Sequence, residues 1–297
     1  MNQSTKTSVA RLSFFFLLAS TLSFHHASVE ARSGVLRRPF VTKSRRTYSI
    51  WGDSNNGSGS SIQTTHPTNQ CQQYQQESTT KILTLAKHFE EAISAASETD
   101  SNDIHVGHLL TACERLGETM ESIGFSQSAR DIAGNIQKVR RVRSTLPPSQ
   151  RDSMPAIVEY EMRTGVHSGR STKDLKGNSA TMGLLWLGRS LSYQNDMFHQ
   201  MIHEHQNPYE AAKTAFEKGL KPHLSWTLQK LAQTGLKSLK SMPTNSILSK
   251  VGGIPEECYG PAADQATRRD LGQVLNSWNP MLNRWRQMFS ELRLDNL

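Results

Sequence analysis

Residues 131–138, which read DIAGNIQK, decide how the rest of the chain is interpreted. On a helix, Asp131, Asn135 and Lys138 stand at positions i, i+4 and i+7, so their side chains share one face. The two isoleucines of the stretch form an apolar row beside them. A carboxylate accepts hydrogen bonds, an amide both donates and accepts, and an ammonium donates three. This combination favours a site for a neutral polyol such as a sugar, although the same spacing is also typical of a solvated helix face.

Two further motifs follow in order along the chain: LLWLGR at residues 184–189 and HLSW at residues 223–226. The order D-x-x-x-N-x-x-K, then LLWLxR, then a His shortly before a Trp, resembles the glycolipid transfer protein family. The resemblance extends from about Ile104 to about Gly252, roughly half of the chain. It implies an all-α fold, a two-layer helical sandwich that encloses an apolar lipid pocket.

The resemblance also implies a role for each motif residue. The residue that matches Asp131 binds the ceramide amide and a sugar hydroxyl, and those that match Asn135 and Lys138 hold further sugar hydroxyls. Trp186 matches the flat plate on which the sugar ring stacks. His223 matches the residue that meets the ceramide amide region opposite Asp131. These five residues are the predicted lipid headgroup site.

Two other positions of the motifs are interpreted separately. Trp226 stands three residues after His223, whereas the family often has His-x-Trp. Contact with a membrane and packing inside the protein therefore both stay open for Trp226. Arg189 is interpreted as an ion-pairing or helix-packing residue rather than as a ligand contact.

The choice of headgroup depends on three positions. In the resemblance, relatives that carry ceramide-1-phosphate have a cation at the position of Asn135, an Arg at Trp186, and another Arg one turn earlier, where this chain has Met182. A phosphate would therefore lack its bidentate partners, which favours a sugar headgroup. Three arginines between residues 140 and 143 keep an acidic headgroup open.

Apolar residues at helical spacing run through the chain from about residue 80, and no convincing strand pattern is present. The chain is therefore predicted to be all-α. The predicted helical segments begin near Thr80; extend from Ile104 to Gly124; surround Asp131 up to Pro147; cover 156–164, 180–202 and 208–219; run from Pro222 to Pro243 with His223 and Trp226 on one helix; and include one or two helices at the C-terminus.

The formal net charge of the 297-residue chain is +8, and most of it lies at the N-terminus. Residues 1–69 hold eight basic and two acidic residues, a net +6. The excess of positive charge is therefore not a property of the folded part, and no nucleic-acid partner is predicted. Three domains are predicted: a leader at 1–31, a basic and then Ser/Gly/Gln-rich disordered segment at 32–79, and a glycolipid transfer protein-like domain at 80–297.

The leader has features of two targeting signals. The apolar run at 12–19 is too short to span a bilayer and is typical of a signal peptide, with cleavage expected after Ala31. The acid-free, Arg-rich segment 32–52 is typical of a transit peptide. The secretory pathway, or an organelle reached after processing, is therefore expected, with the cytoplasm as the alternative.

The remaining chemistry-bearing residues predict no enzyme, metal or cofactor. Cys71, Cys113 and Cys258 are odd in number and widely spaced, so neither a disulfide framework nor a zinc site is predicted, and Cys113 is assigned to the core. His203 and His205 are two residues apart and do not share a helix face. The sequence has no G-x-S-x-G elbow and no glycine-rich phosphate loop.

The leading hypothesis is non-enzymatic transfer of a glycosphingolipid, such as a glycosylceramide, between membranes. The chain would act as a monomer that contacts the membrane surface peripherally. Three alternatives stay open: a ceramide-1-phosphate carrier, a lipid sensor that reports to a protein partner, and a carrier of a galactolipid in an organelle.

Overall fold

The structure, a computed structural model, describes residue 71 and residues 80–97, 103–122 and 126–294. The predicted leader, the rest of the predicted disordered segment and the predicted helix end at Gly124 lie outside these residues. Within them the regular elements are helical, and His105 and Ser153 form an isolated β-bridge. The α-helices are α1 (Lys81–Ser97), α2 (Val106–Ser122), α3 (Ser126–Arg143), α4 (Met154–Arg163), α5 (Ala180–Ile202), α6 (Pro208–Ala215), α7 (Trp226–Leu236), α8 (Thr244–Gly252) and α9 (Pro261–Glu291).

Five helices from both ends of the chain surround one apolar interior. Helix α1 packs on α2, α2 on α3, α3 on α5, α5 on α9, and α9 again on α1. The ring of Trp278 on α9 meets Phe89 of α1 edge-on at 5.1 Å between centroids, and Phe198 of α5 at 6.4 Å. Such aromatic pairs stabilise a core beyond the area that they bury. The predicted all-α, two-layer helical fold is confirmed.

The start of α5 is fixed by a buried carboxylate. Glu161 of α4 is 2% exposed, and it accepts hydrogen bonds from the backbone N–H groups of Ala180 and Thr181, both at 2.8 Å. The Thr181 hydroxyl and the His167 ring also lie within hydrogen-bond distance of Glu161 Oε2. A negative charge at a helix N-terminus satisfies free amides and interacts favourably with the helix dipole. Glu161 therefore holds the N-terminus of the helix that carries the LLWLGR motif.

The predicted single helix from Pro222 is wrong. A π-helical turn at Phe216–Leu220 follows α6, and a short 3-10 helix at Lys221–His223 comes next. The helical structure is then interrupted at Leu224 and Ser225 before α7 begins at Trp226. His223 and Trp226 therefore belong to different elements.

Local hydrogen bonding explains this break. Leu224 has an extended backbone, with φ −105° and ψ 143°. The Gln229 side chain donates to the carbonyl oxygens of Lys221 and Leu224, both at 2.9 Å. A side chain from α7 thus satisfies the last carbonyls of the preceding turn, and hydrophobic spacing alone does not reveal such a cap.

One other helix prediction is wrong near the C-terminus, whereas the single C-terminal helix agrees with the predicted one or two. The sequence predicts that a helix ends at Pro243. In the structure Pro243 is the N-cap residue of α8, a helix that the sequence does not predict. Helix α9 is a single element of 31 residues that continues through Pro280. Among the residues that the structure describes, no helix is both long enough and apolar enough to span a membrane.

The cysteine prediction is also wrong. Cys71 and Cys258 form a disulfide bond across 187 residues of sequence. Cys113 is a free, buried cysteine on α2, as predicted. Spacing could not reveal the bridge because the fold alone brings the two ends of the domain together.

We predict that Glu161→Gln lowers the free energy of unfolding by roughly 2–3 kcal/mol, because the amide leaves buried donors without a charged acceptor. Glu159→Gln is the matched control on the same helix. Its side chain is 50% exposed and pairs with Arg170, so its effect should stay within about 0.5 kcal/mol. Urea unfolding followed by circular dichroism compares the two variants, and equal losses would contradict the assigned role of Glu161.

Candidate functional site

The three polar residues of α3 are grouped as their spacing predicts. The Lys138 ammonium donates to Asn135 Oδ1 at 3.0 Å. Burial lowers the pKa of Lys138, the nearby Asp131 carboxylate opposes this shift, and the positive charge of Arg141 adds to it. The carboxylate, the amide and the ammonium therefore form one half-buried polar row on α3.

Gly134 leaves space in the middle of this row. It lies on the same face of α3, three residues after Asp131 and four before Lys138. A Cβ atom added at Gly134 would meet nothing within 4 Å. The surface of α3 between the Asp131 carboxylate and the Lys138 ammonium is therefore free of other side chains at Gly134.

A close helix contact places α5 against the row. A Cβ atom at Gly183 would lie 2.9 Å from the carbonyl oxygen of Asn135 and 3.3 Å from Cβ of Lys138. Only glycine allows this approach, because real Cβ atoms do not come so near to backbone. Trp186 stands one turn further along α5 from this contact. Sequence reasoning missed Gly183, although a glycine one turn before the motif Trp was a usable signal.

The position of Trp186 is supported from within its own helix. The side chain is partly buried and packs against the hydrophobic core. The Arg189 guanidinium carbon lies 5.2 Å from the centroid of the Trp186 ring, and Arg189 is 1% exposed. This is a cation–π contact, which gains strength where water is excluded. Arg189 thus has a packing position, in agreement with its sequence interpretation.

His223 comes from a third segment. The π-helical turn before it packs on α5, and Lys218 Nζ in that turn lies 3.2 Å from Asp196 Oδ2 of α5. This irregular stretch is of a kind that often occurs at functional sites, and half-buried His223 stands at the end of the 3-10 turn that follows it. The structure groups Asp131, Asn135 and Lys138 on α3 and packs α5, the helix that carries Trp186, against them at Gly183. Contact of Trp186 with the polar row and the meeting of His223 with Asp131 remain predictions.

The site offers binding groups rather than a metal centre. Within the described ranges, no three His, Cys, Asp or Glu side chains are placed to hold a metal ion. What the polar row and Trp186 provide is a set of hydrogen-bonding groups and an aromatic ring above an apolar interior. A helical domain with this arrangement has the features of a lipid-binding protein.

Comparison with known proteins narrows this class. The family profile described as "Glycolipid transfer protein (GLTP)" matches residues 104–252, which is half of the chain. The chain belongs to the glycolipid transfer protein family. The glycolipid transfer protein of Xenopus tropicalis is 32% identical over 118 residues, which cover 38% of this chain and 53% of that protein. The chain thus spans about half the length of this curated relative.

Solved structures are similar over a longer stretch. Human ceramide-1-phosphate transfer protein, in complex with 12:0 ceramide-1-phosphate, has a TM-score of 0.60 at 15% identity and matches 72% of this chain and 98% of its own. A structure described as showing how FAPP2 selects simple glycosphingolipids using the GLTP-fold has a TM-score of 0.55 at 22% identity, with 67% and 90% covered. At these identities the likeness concerns the fold, which is shared by proteins described with both kinds of headgroup.

We predict that Gly183→Ala lowers the free energy of unfolding by roughly 1–3 kcal/mol, because the added methyl forces α5 away from α3. Gly272→Ala on α9 is the matched control. It places the same methyl where nothing lies within 4 Å, so it should stabilise the protein by about 0.5–1 kcal/mol. Thermal unfolding of both variants tests this contrast, and a stabilising Gly183→Ala would contradict the close contact.

Proposed function

We propose that this chain transfers a sphingolipid with a sugar headgroup between membranes, without covalent chemistry. The observation that carries the proposal is the grouping of Asp131, Asn135 and Lys138 on α3, against which the helix that carries Trp186 packs at Gly183. A flat aromatic ring suits the C–H face of a sugar, and the polar row suits its hydroxyls. Membership of the glycolipid transfer protein family supports this function.

The energetics of transfer explain why the protein must have a large apolar interior. Moving one CH₂ group from hydrocarbon to water costs about 0.8 kcal/mol, so a sixteen-carbon chain costs on the order of 12 kcal/mol. A carrier must offer the chains an apolar environment for the whole journey. The apolar interior that α1, α2, α3, α5 and α9 surround is the region that would receive them.

The headgroup is the part that the site can discriminate. A buried polar group that loses its partner costs roughly 1–3 kcal/mol, so a row of hydrogen-bonding groups rejects a lipid that cannot pair with it. Asn135, Trp186 and Met182 put neutral side chains where the resemblance expects cations in carriers of ceramide-1-phosphate. A sugar therefore suits the site better than a phosphate.

Ceramide-1-phosphate is the second candidate ligand. Lys138 supplies one positive charge, and Arg141 is close enough to affect its pKa. A similar solved structure also holds this lipid. A lipid sensor would use the same residues as a carrier, and an organellar galactolipid carrier would use the same sugar-binding groups. Measured transfer must separate these functions.

We also propose that α7 contacts the membrane through its exposed face. Trp226 is 72% exposed, and Lys230 Nζ lies 5.9 Å from the centroid of its ring. Lys237 follows two turns after Lys230, and it is also exposed. Residues 218–255 contain six lysines and no acidic residue. Tryptophan favours the bilayer interface, and lysines are attracted to anionic lipids, so this surface suits a negatively charged bilayer.

We predict that Trp186→Ala lowers the rate of glycosylceramide transfer between vesicles about tenfold or more, which is ~1.4 kcal/mol. Trp186→Phe, which keeps an aromatic ring, should retain most of the rate. The assay uses fluorescent galactosylceramide, with ceramide-1-phosphate and a galactosyl glycerolipid in parallel. Transfer of ceramide-1-phosphate alone would contradict the sugar assignment, and lipid that binds without moving would favour the sensor.

We predict that Lys230→Gln combined with Lys237→Gln weakens binding to vesicles containing phosphatidylserine about 10- to 30-fold, at roughly 1 kcal/mol for each lysine. Binding to neutral vesicles should change little, whereas Trp226→Ala should weaken both. Lys87→Gln, at an exposed lysine on α1, is the matched control. Equal losses for Lys87→Gln and the double variant in vesicle sedimentation would show that α7 is not the contact surface.

A further inference from the structure

The disulfide bond links the segment before the first helix to the start of the last helix. Cys71 precedes α1, and Cys258 ends a short 3-10 helix at Glu256–Cys258, three residues before α9 begins. Their Cα atoms are 5.1 Å apart, which is within the usual range for a disulfide. The bond therefore joins the region before α1 to the start of α9.

Noncovalent contacts also hold the start of α1 against the C-terminal part of the domain. The Thr80 amide donates to Asp270 Oδ2 of α9 at 2.7 Å, and Asp270 is fully buried. Gly253 has a φ of +66°, and a Cβ there would lie 2.5 Å from Cδ of Lys81, so glycine allows the lysine stem to pack against the backbone. These contacts hold the start of α1 against α9 and against the end of α8 independently of the bond.

The third cysteine does not compete for this bond. Cys113 is 1% exposed on α2, and burial, with a smaller contribution from Glu114, raises the pKa of its thiol to about 12. Disulfide exchange requires a thiolate that can reach the bond. The three cysteines therefore divide into one bridge and one inert core thiol.

A disulfide indicates the compartment in which a protein matures. Such bonds persist in oxidising compartments of the secretory pathway, whereas glutathione and thioredoxin keep thiols reduced in the cytosol. The apolar run at 12–19 and the small residues before Arg32 are typical of a signal peptide. Asn56-Gly57-Ser58 is in addition an acceptor sequence for N-glycosylation, which occurs along the same route.

We infer that the chain matures in an oxidising lumen, where the Cys71–Cys258 bond closes, and that it serves the luminal or extracellular leaflet of a membrane. According to this inference, the signal peptide rather than the transit peptide is the targeting signal that directs the chain. The choice of leaflet rests on the proposed lipid carrier function, whereas the bond and the compartment do not.

The experiment compares the full chain, expressed in a eukaryotic cell, with a variant that lacks residues 2–31. Free thiols are trapped with a maleimide of known mass in denatured protein before any reduction, and peptides are then mapped. We expect the full chain to show one free thiol, a linked Cys71–Cys258 peptide, and a glycan that is lost in Asn56→Gln. The variant without the leader should show three free thiols. Cys113→Ala should keep the linked peptide.

Three free thiols in the full chain would overturn the inference, and so would an equal yield of the linked peptide from the variant without the leader. Thermal unfolding gives a second test. Cys71→Ser, Cys258→Ser and reduced wild type should share a melting temperature about 5–10 °C below that of the oxidised protein. An unchanged melting temperature on reduction would show that the bond does not stabilise the packing of the start of α1 against α9. Thiol counts do not depend on lipid transfer, so either proposal can fail without the other.

Discussion

The contact between α5 and α3 at Gly183 is the constraint on which the site depends. The backbones approach closely there, so α5, which carries the LLWLGR motif, packs directly against α3, which carries the polar row. Glu161 fixes where α5 begins, and Arg189 supports Trp186 from the buried side. One glycine and one buried carboxylate therefore position the helix of the candidate site that packs against the helix with the polar residues.

Features that depend on neighbouring residues in the sequence could be predicted. Helix α5 was predicted at 180–202, as found, because the apolar pattern is long. The face shared by Asp131, Asn135 and Lys138 follows directly from helical geometry. Features that depend on distant residues could not be predicted. The disulfide bond, which joins residues 187 positions apart, is the example. The break at Leu224 was missed for another reason, because hydrophobic spacing does not show that the Gln229 side chain caps the preceding turn.

The two helices that carry the motifs can be recognised from sequence, whereas other helices of the domain are matched only by structure. The family profile covers residues 104–252, whereas the similar solved structures match about 70% of the chain. Helices α1 and α9 lie outside the profile, yet they supply Phe89 and Trp278 to the core. Core positions need only apolar volume and tolerate exchange. A headgroup site needs particular donors and acceptors, so its residues remain easier to identify from sequence.

The pairing of α1 with α9 also affects how the chain folds during synthesis. Helix α1 is complete at residue 97, whereas its partner begins only at residue 261. At about 5–20 residues per second, roughly 10–30 s pass between the two. During that time the apolar face of α1 has no partner from the C-terminal end. Until the last helix is made, the order of translation therefore leaves the side of α1 that faces α9 open to chaperones or to wrong partners, although α2 can already pack on the other side.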